Sequence, residues 1–166
     1  MTRLEIDSSA FDQVGLHDVD VYGFFLQRRG DETDFILDID YLAEWTLLEN
    51  KRFEFLVVPA TLTFLNVVDL QIHLDWGVSL RREEPYGVIH NLSGEVMIYD
   101  FRRFAYTDPI YTERSYMRYE LRFSEPLDGR ISLGARDFKI VGRQDLIRSE
   151  YSTLDPAQKP PLILGG

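Results

Sequence analysis

The first candidate for chemistry is a histidine that stands next to a carboxylate. His17 precedes Asp18, and a carboxylate beside an imidazole tunes the ring for proton transfer near neutral pH, as a general base requires. The alternation of the following residues places His17 on the apolar side of a strand, near Ala43 or Trp45. We therefore expect a histidine at the edge of the core whose ring N–H donates to a backbone carbonyl, and no general base.

A second histidine alternates with acidic residues. Asp69, Gln71, His73 and Asp75 share a face if the segment is extended, and a histidine with two carboxylates could hold a divalent metal ion. Side chains at i and i+2 of a strand lie about 7 Å apart, too far to share one ion without ligands from another strand. The spacing favours a solvated face, so neither a metal site nor a cofactor is expected.

Three acids close together in sequence could form an acid pair for catalysis. They are Asp38, Asp40 and Glu44, but raising the pKa of one carboxyl group requires burial or a close like charge inside a cleft. An open strand face provides little of either. The chain also has no cysteine and no glycine-rich phosphate loop, GxSxG elbow or HExxH motif. No catalytic residue is predicted.

These residues fall on segments that the sequence marks as strands. From 34 to 45, apolar residues occupy the odd positions and most even positions are acidic, which is the period of a half-buried strand. The segment 17–25 has the same parity, and residues 28–33 supply a turn, so a hairpin is predicted. Coincident apolar faces then place Phe25 opposite Leu37 and Val21 opposite Tyr41. The residues expected to be buried are Val19, Val21, Phe35, Leu37, Ile39 and Tyr41.

The rest of the chain continues the alternating pattern. Apolar residues occupy even positions from Leu62 to Trp76, interrupted at Asn66, where we expect a bulge or bend. A second hairpin is predicted over 117–135. We predict a mainly β, single-domain fold over residues 1–147, an antiparallel sheet or β-sandwich with at most short helices. An extended, proline-containing tail is predicted over residues 148–166.

The first hairpin is predicted to bring five acids to one strand face, with no lysine or arginine between them. They are Asp18, Asp20, Asp38, Asp40 and Glu44. Like charges that face each other across strands are destabilising, and two interpretations are open. The acids form a solvated face that aids solubility and blunts edge pairing, or they bind a cationic partner, whose association the charge accelerates and orients.

The distribution of charge indicates the kind of partner. The first 76 residues hold 15 acids and 5 bases, so the whole net charge of −10 falls there. Basic residues are scattered among acids, and nucleic acid binding, which needs a basic cluster, is not expected. A basic protein is the expected partner. Residues 1–16 lack the apolar run of a signal peptide or membrane anchor, so a cytoplasmic protein that does not bind membranes is expected.

Several short motifs suggest a family. They are Leu16-His17-Asp18, Leu37-Asp38-Ile39-Asp40-Tyr41 with Glu44-Trp45, and Pro59 to Phe64 followed by Asn66-Val67 and Asp69-Leu70. Over these residues the chain resembles a family of uncharacterised bacterial proteins, and more remotely it is similar to small β-rich immunity proteins that neutralise bacterial toxins. The resemblance implies a non-enzymatic binding protein and supplies no catalytic residues. The alternative is a small-ligand-binding protein or enzyme with a pocket lined by Tyr86, His90, Tyr99, Tyr106 and Tyr111.

Overall fold

The chain folds as a mainly β, antiparallel domain with short helices, which confirms the predicted fold class. The computed structural model describes residues 3–74, 79–83, 86–90, 95–126 and 128–162, and the side chains of residues 79–90 lie outside the description. The described strands are β1 (Glu5–Asp7), β2 (Val19–Arg29), β3 (Glu32–Leu47), β4 (Phe53–Leu65), β5 (Val68–His73), β6 (Ser79–Glu83), β7 (Tyr86–His90), β8 (Met97–Ala105), β9 (Met117–Glu125), β10 (Arg130–Ala135), β11 (Asp137–Gly142) and β12 (Ile147–Ser149).

The helical segments of the described residues are all short. They are a 3-10 helix at Ser8–Gln13, the single-turn helix α1 at Pro109–Thr112, and a second 3-10 helix at Pro156–Gln158. Within the described ranges, no helix has the length and apolar character needed to span a membrane.

Among the described strands, ten form one sheet in which β2 is the junction between two halves. The strand order is β1-β11-β4-β3-β2-β8-β9-β10-β5, with β12 added alongside β4. Strand β2 pairs with β3 over most of its length, and with β8 only through Val19 and Asp20. The strands β6 and β7 pair with each other as a separate ribbon.

The two halves of the sheet face each other across a cluster of aromatic rings. The ring centroid of Phe64 on β4 lies 6.1 Å from that of Phe101 on β8 and 5.4 Å from that of Tyr119 on β9. The Phe138 ring of β11 contacts the rings of Phe101 and Tyr119. The ring centroid of Phe11, in the first 3-10 helix, lies 5.0 Å from that of Phe101. Aromatic contacts of this kind add to hydrophobic burial. The sheet therefore curls around one core.

The first hairpin buries the residues that the alternation predicts. The buried set includes Val19, Val21, Phe35, Leu37, Ile39 and Tyr41, all of them part of the hydrophobic core. Val21 lies opposite Ile39, however, and not opposite Tyr41 as predicted. The prediction of which side chains are buried is confirmed, and the predicted pairing is wrong.

The turn and a β-bulge set the true register of this hairpin. Phe24, not Phe25, lies opposite Leu37. A two-residue turn at 30–31 closes the hairpin, and a turn of this length makes the paired residue numbers sum to an odd value near it. The bulge at Tyr22 then shifts the register by one residue, so that the pairing of Val21 returns to an even sum.

The bend predicted at Asn66 is confirmed. Strand β4 ends at Leu65, Asn66 has a positive φ of 52°, and β5 continues in the other half of the sheet, paired with β10. The Asn66 backbone N–H donates to Asp34 Oδ1 at 3.0 Å, which fixes the corner. An asparagine tolerates this left-handed backbone conformation better than a β-branched residue would.

The described part of the predicted tail, residues 148–162, packs against the sheet. Ile147–Ser149 forms β12 and pairs with β4 opposite Phe55–Val57. Leu154 is buried, with 4% of its surface exposed. The following residues form the second 3-10 helix, which is closed by a capping box between Asp155 and Gln158.

Candidate functional site

Three of the five predicted acids, Asp20, Asp38 and Asp40, lie on the side of the sheet that points away from the aromatic core. We call this side the outer face. Asp38 and Asp40 alternate with Ile39, whose side chain is fully buried in the core. The bulge residue Tyr22 joins them, and its hydroxyl donates to Asp40 Oδ2 at 2.9 Å. For this group of three, the predicted shared face is confirmed.

Asp40 is buried, which corrects the expectation that it offers an open charge to a partner. Its side chain is 0% exposed, and Oδ2 accepts hydrogen bonds from the Tyr22 hydroxyl and from the Leu154 backbone N–H, both at 2.9 Å. The Lys159 ammonium lies 2.8 Å from the same oxygen and 3.2 Å from the centroid of the Tyr22 ring. The chain's own C-terminal segment therefore covers this carboxylate.

Asp38 is also neutralised from within the chain. Arg143 Nη1 lies 2.6 Å from Asp38 Oδ1, and the arginine side chain is only 9% exposed. The two residues are 105 positions apart, and the Lys159 pair spans a longer separation still. The cations that pair with Asp38 and Asp40 in the described structure come from the other end of the chain and not from the hairpin.

Asp20 lies among like charges. Burial raises its pKa from the usual 3.8 to about 6, and the carboxylates of Glu95, Asp40 and Asp18 add to this rise, while Lys159 opposes it. Desolvation and nearby negative charge both disfavour an ionised carboxylate. Among the described residues, Lys159 therefore acts on more than one carboxylate at this end of the outer face.

Asp18 is exposed, and so is His17, contrary to the expectation of a histidine at the edge of the core. The side chains of His17 and Asp18 are 71% and 54% exposed, and His17 Nδ1 lies 2.8 Å from Asp18 Oδ2. Strand β2 begins only at Val19, and Asp18 has a positive φ of 62°. The two residues form a turn, so the parity of the strand does not extend to them.

Glu44 does not share the outer face, which corrects the fifth member of the predicted set. The register between β3 and β4 shifts between Leu42 and Glu44, with Ala43 as the extra residue. Leu42 lies opposite Val57, and Glu44 lies opposite Leu56, the next residue of β4. Adjacent residues of a strand point to opposite faces, so the bulge moves Glu44 to the other side of the sheet.

Beyond this bulge, β3 and β4 form an extension that we call the hairpin arm, residues 43–56. Its aromatic side chains are exposed: Trp45 is 60% and Phe53 is 46% exposed. The Trp45 and Phe53 rings contact each other edge to face, with centroids 5.6 Å apart, and Phe55 extends the group. The alternation of the sequence predicts Trp45 on the apolar face of a strand and does not indicate its exposure. The length of β3 is the feature that indicates an exposed end, because β3 has 16 residues and strands of globular proteins rarely exceed about 10.

A cleft of about 600 Å³ lies between the arm and the turn at His17 and Asp18. Its lining combines Glu44 and Asp18 with Trp45 and Phe53. Carboxylates next to aromatic rings suit a cationic side chain, which pairs with the carboxylate and packs its apolar stem or its charge against the ring. The structure therefore brings Asp18 and Glu44 to one site, but separates them from Asp38 and Asp40.

The alternative aromatic pocket is only partly assembled in the described structure. Tyr106 and Tyr111 stack with their ring centroids 4.3 Å apart. Tyr99 instead borders a different cavity of about 650 Å³, together with His73 and Arg122. The side chains of residues 86 and 90, also predicted to line the pocket, lie outside the described residues.

The predicted face of β5 is exposed, as expected from its sequence. Asp69, Gln71 and His73 all lie at the surface, whereas residues 75 and 76 lie outside the described ranges. Within those ranges, no three His, Asp or Glu side chains are grouped as metal ligands would be. Comparison with known proteins returned no matching family model, no matching curated protein and no matching solved structure.

Proposed function

We propose that this chain is a non-enzymatic binding protein that holds a basic protein partner in the cleft between Asp18 and the hairpin arm. The observation that carries the proposal is the contact of exposed Trp45 and Phe53 in a cleft that Asp18 and Glu44 also line. The partner is the basic protein expected from the sequence, but its site is the hairpin arm and not the outer face.

The charges of the described structure support this position. Asp38 and Asp40 are paired with Arg143 and Lys159, so they contribute little to the field that an approaching protein meets. Asp18 remains exposed beside the cleft. The net charge of −10, all of it in the first 76 residues, accelerates association with a basic protein and orients it.

The apolar part of the site supports a protein partner rather than a free cation. Besides its aromatic rings, the arm exposes Leu47 (57%) and Leu48 (38%). Contiguous exposed apolar surface marks protein interaction sites, and tryptophan is enriched among the residues that dominate binding energy. An immunity protein that occupies a basic toxin, as the family resemblance implies, is one form that this function takes.

The test begins with a cross-link from the cleft itself. A photoreactive phenylalanine analogue at Phe53 should capture the partner in cells, whereas the same analogue at Phe104, an exposed phenylalanine of β8, should not. The captured protein is then purified and titrated by calorimetry. Trp45→Ala should weaken its binding at least tenfold, about 1.4 kcal/mol.

A matched pair of variants separates local charge from net charge. Asp18→Asn with Glu44→Gln should weaken the same complex tenfold and reduce its dependence on salt. Asp31→Asn with Glu113→Gln removes the same charge from exposed positions away from the cleft and should have little effect. Equal binding by both double variants would refute the assignment of the cleft.

A further inference from the structure

The segment from Leu154 to Leu162, which we call the strap, crosses the outer face and covers the carboxylate of Asp40. It is attached through the buried Leu154 side chain, the Leu154 N–H to Asp40 and the Lys159 ion pair. One further hydrogen bond runs from Gln144 Nε2 to the Gln158 carbonyl at 3.0 Å. The intervening residues 155–158 are exposed. The strap is therefore held mainly at two points.

The second of these points has the geometry of a lysine-binding pocket. The Lys159 ammonium lies 2.8 Å from Asp40 Oδ2 and 3.2 Å from the centroid of the Tyr22 ring, and the lysine side chain is 13% exposed. A carboxylate and an aromatic ring together recognise an ammonium group by ion pairing and by cation–π attraction. The bulge at Tyr22 aims the ring at this position.

Among the described side chains, the pocket brings together more carboxylates than cations. Lys159 pairs with Asp40 and acts on Asp20, and the negative charges of Glu95 and Asp18 also act on Asp20. Asp40 Oδ1 is buried and has no hydrogen-bond partner among the described residues. A segment with several cations matches this surface better than the strap does, because the strap carries one lysine and an aspartate, Asp155.

We propose that the strap is an intramolecular occupant of a lysine-binding groove on the outer face, and that a basic segment of a partner protein displaces it. The new segment places a lysine between Asp40 and the Tyr22 ring and its further cations beside Asp20. Asp18 lines the cleft of the hairpin arm, and its charge also acts on Asp20 in this groove. The inference deepens the proposed function, since the partner is again a basic protein, and it gives that partner a second point of attachment.

The experiment uses the full chain and hexalysine as the probe. Lys159→Met removes the competing lysine, and Leu154→Ala loosens the strap without changing any charge. Both variants should bind hexalysine at least tenfold more tightly than wild type, and hydrogen exchange at residues 154–159 should quicken in both. Lys159→Arg should behave as wild type. Circular dichroism checks that each variant is folded. If Lys159→Met does not fold, Leu154→Ala alone provides the comparison with wild type.

Two controls match the variants in chemistry. Lys139→Met removes one positive charge from an exposed position of β11, and Leu146→Ala truncates an exposed leucine. If Lys139→Met increased the affinity for hexalysine as much as Lys159→Met does, net charge alone would explain the effect and the proposal would be overturned. Equal hexalysine affinity of wild type, Lys159→Met and Leu154→Ala would overturn it as well. The increase in hexalysine affinity should persist when Glu44→Gln is added to either variant, because Glu44 lines the cleft of the hairpin arm. A failure of the cleft assignment would therefore leave this result unchanged.

Discussion

The ion pair between Asp40 and Lys159 gives the most direct measure of how firmly the C-terminal segment is held. We consider the variants Asp40→Asn, Lys159→Met and their combination. Asp40 is fully buried and Lys159 is 13% exposed, so each single variant leaves one group of a desolvated pair without its partner. Removing one partner of a buried ion pair costs about 3–5 kcal/mol.

The two single variants should differ because the two groups differ in mobility. Lys159 lies on a segment held at few points, so after Asp40→Asn its ammonium can turn towards water, and we expect a loss of about 2 kcal/mol. After Lys159→Met the carboxylate stays buried with two neutral donors, the Tyr22 hydroxyl and the Leu154 N–H. We expect that variant to lose about 3 kcal/mol.

The double variant should be more stable than the sum of these losses. An asparagine oxygen still accepts from Tyr22 and Leu154, and a methionine packs against the Tyr22 ring without a charge to solvate. A combined loss of about 2 kcal/mol gives a coupling energy of about 3 kcal/mol, at the upper end for residues in contact.

Urea denaturation followed by circular dichroism, extrapolated linearly to water, measures each free energy of unfolding. Lys139→Met is the control and should change the stability by less than about 0.5 kcal/mol, as surface substitutions generally do. Additive losses, with a coupling below about 0.5 kcal/mol, would show that Lys159 does not pair with Asp40 in solution.

Three further predictions concern the core and the outer face. Asp20→Asn should stabilise the fold at pH 7: the folded-state pKa of about 6 exceeds the unfolded value near 3.8, so the ionised carboxylate is a cost above pH 6. The gain in the free energy of unfolding should be on the order of 1 kcal/mol after solvent screening at this half-buried site. Urea titrations should show this gain fading between pH 6 and pH 4, as the carboxyl group of the wild type becomes protonated. A gain that grows in acid would contradict the raised pKa of Asp20. Phe64→Ala should cost about 3–5 kcal/mol, because the ring is fully buried between the two halves of the sheet; thermal unfolding at an unchanged temperature would contradict the aromatic core. Gly134→Ala should cost about 1–3 kcal/mol, since its Cβ would lie 2.5 Å from Tyr106 Oη and 2.8 Å from Val68 Cγ2, and a neutral effect in the same assay would show that Tyr106 yields freely.

The buried side of the first hairpin was predictable from sequence because it follows from a strand period of 2. Leu37 and Ile39 are buried whichever residue lies across from them, so an error in register left the core assignment unaffected. The bend at Asn66 was predictable for a related reason, since an interruption of a long alternation is visible locally.

The candidate site was less predictable because it depends on bulges and on distant cations. One extra residue at Ala43 sends Glu44 to the opposite face, and alternation of apolar and acidic residues gives no warning of it. Arg143 and Lys159 neutralise Asp38 and Asp40 across more than 100 residues of chain. Such pairs depend on the topology of the whole sheet, which the local pattern of the hairpin does not contain.

The bulge at Tyr22 also decides which side of β2 faces the core. Before the bulge, Val21 lies opposite the fully buried Ile39. If β2 kept the register that the turn sets, Val21 would lie opposite Asp40 instead. Its side chain would then turn from the core to the outer face, and so would that of Val19. One irregular residue thus lets β2 continue from one half of the sheet to the other with its apolar side on the core.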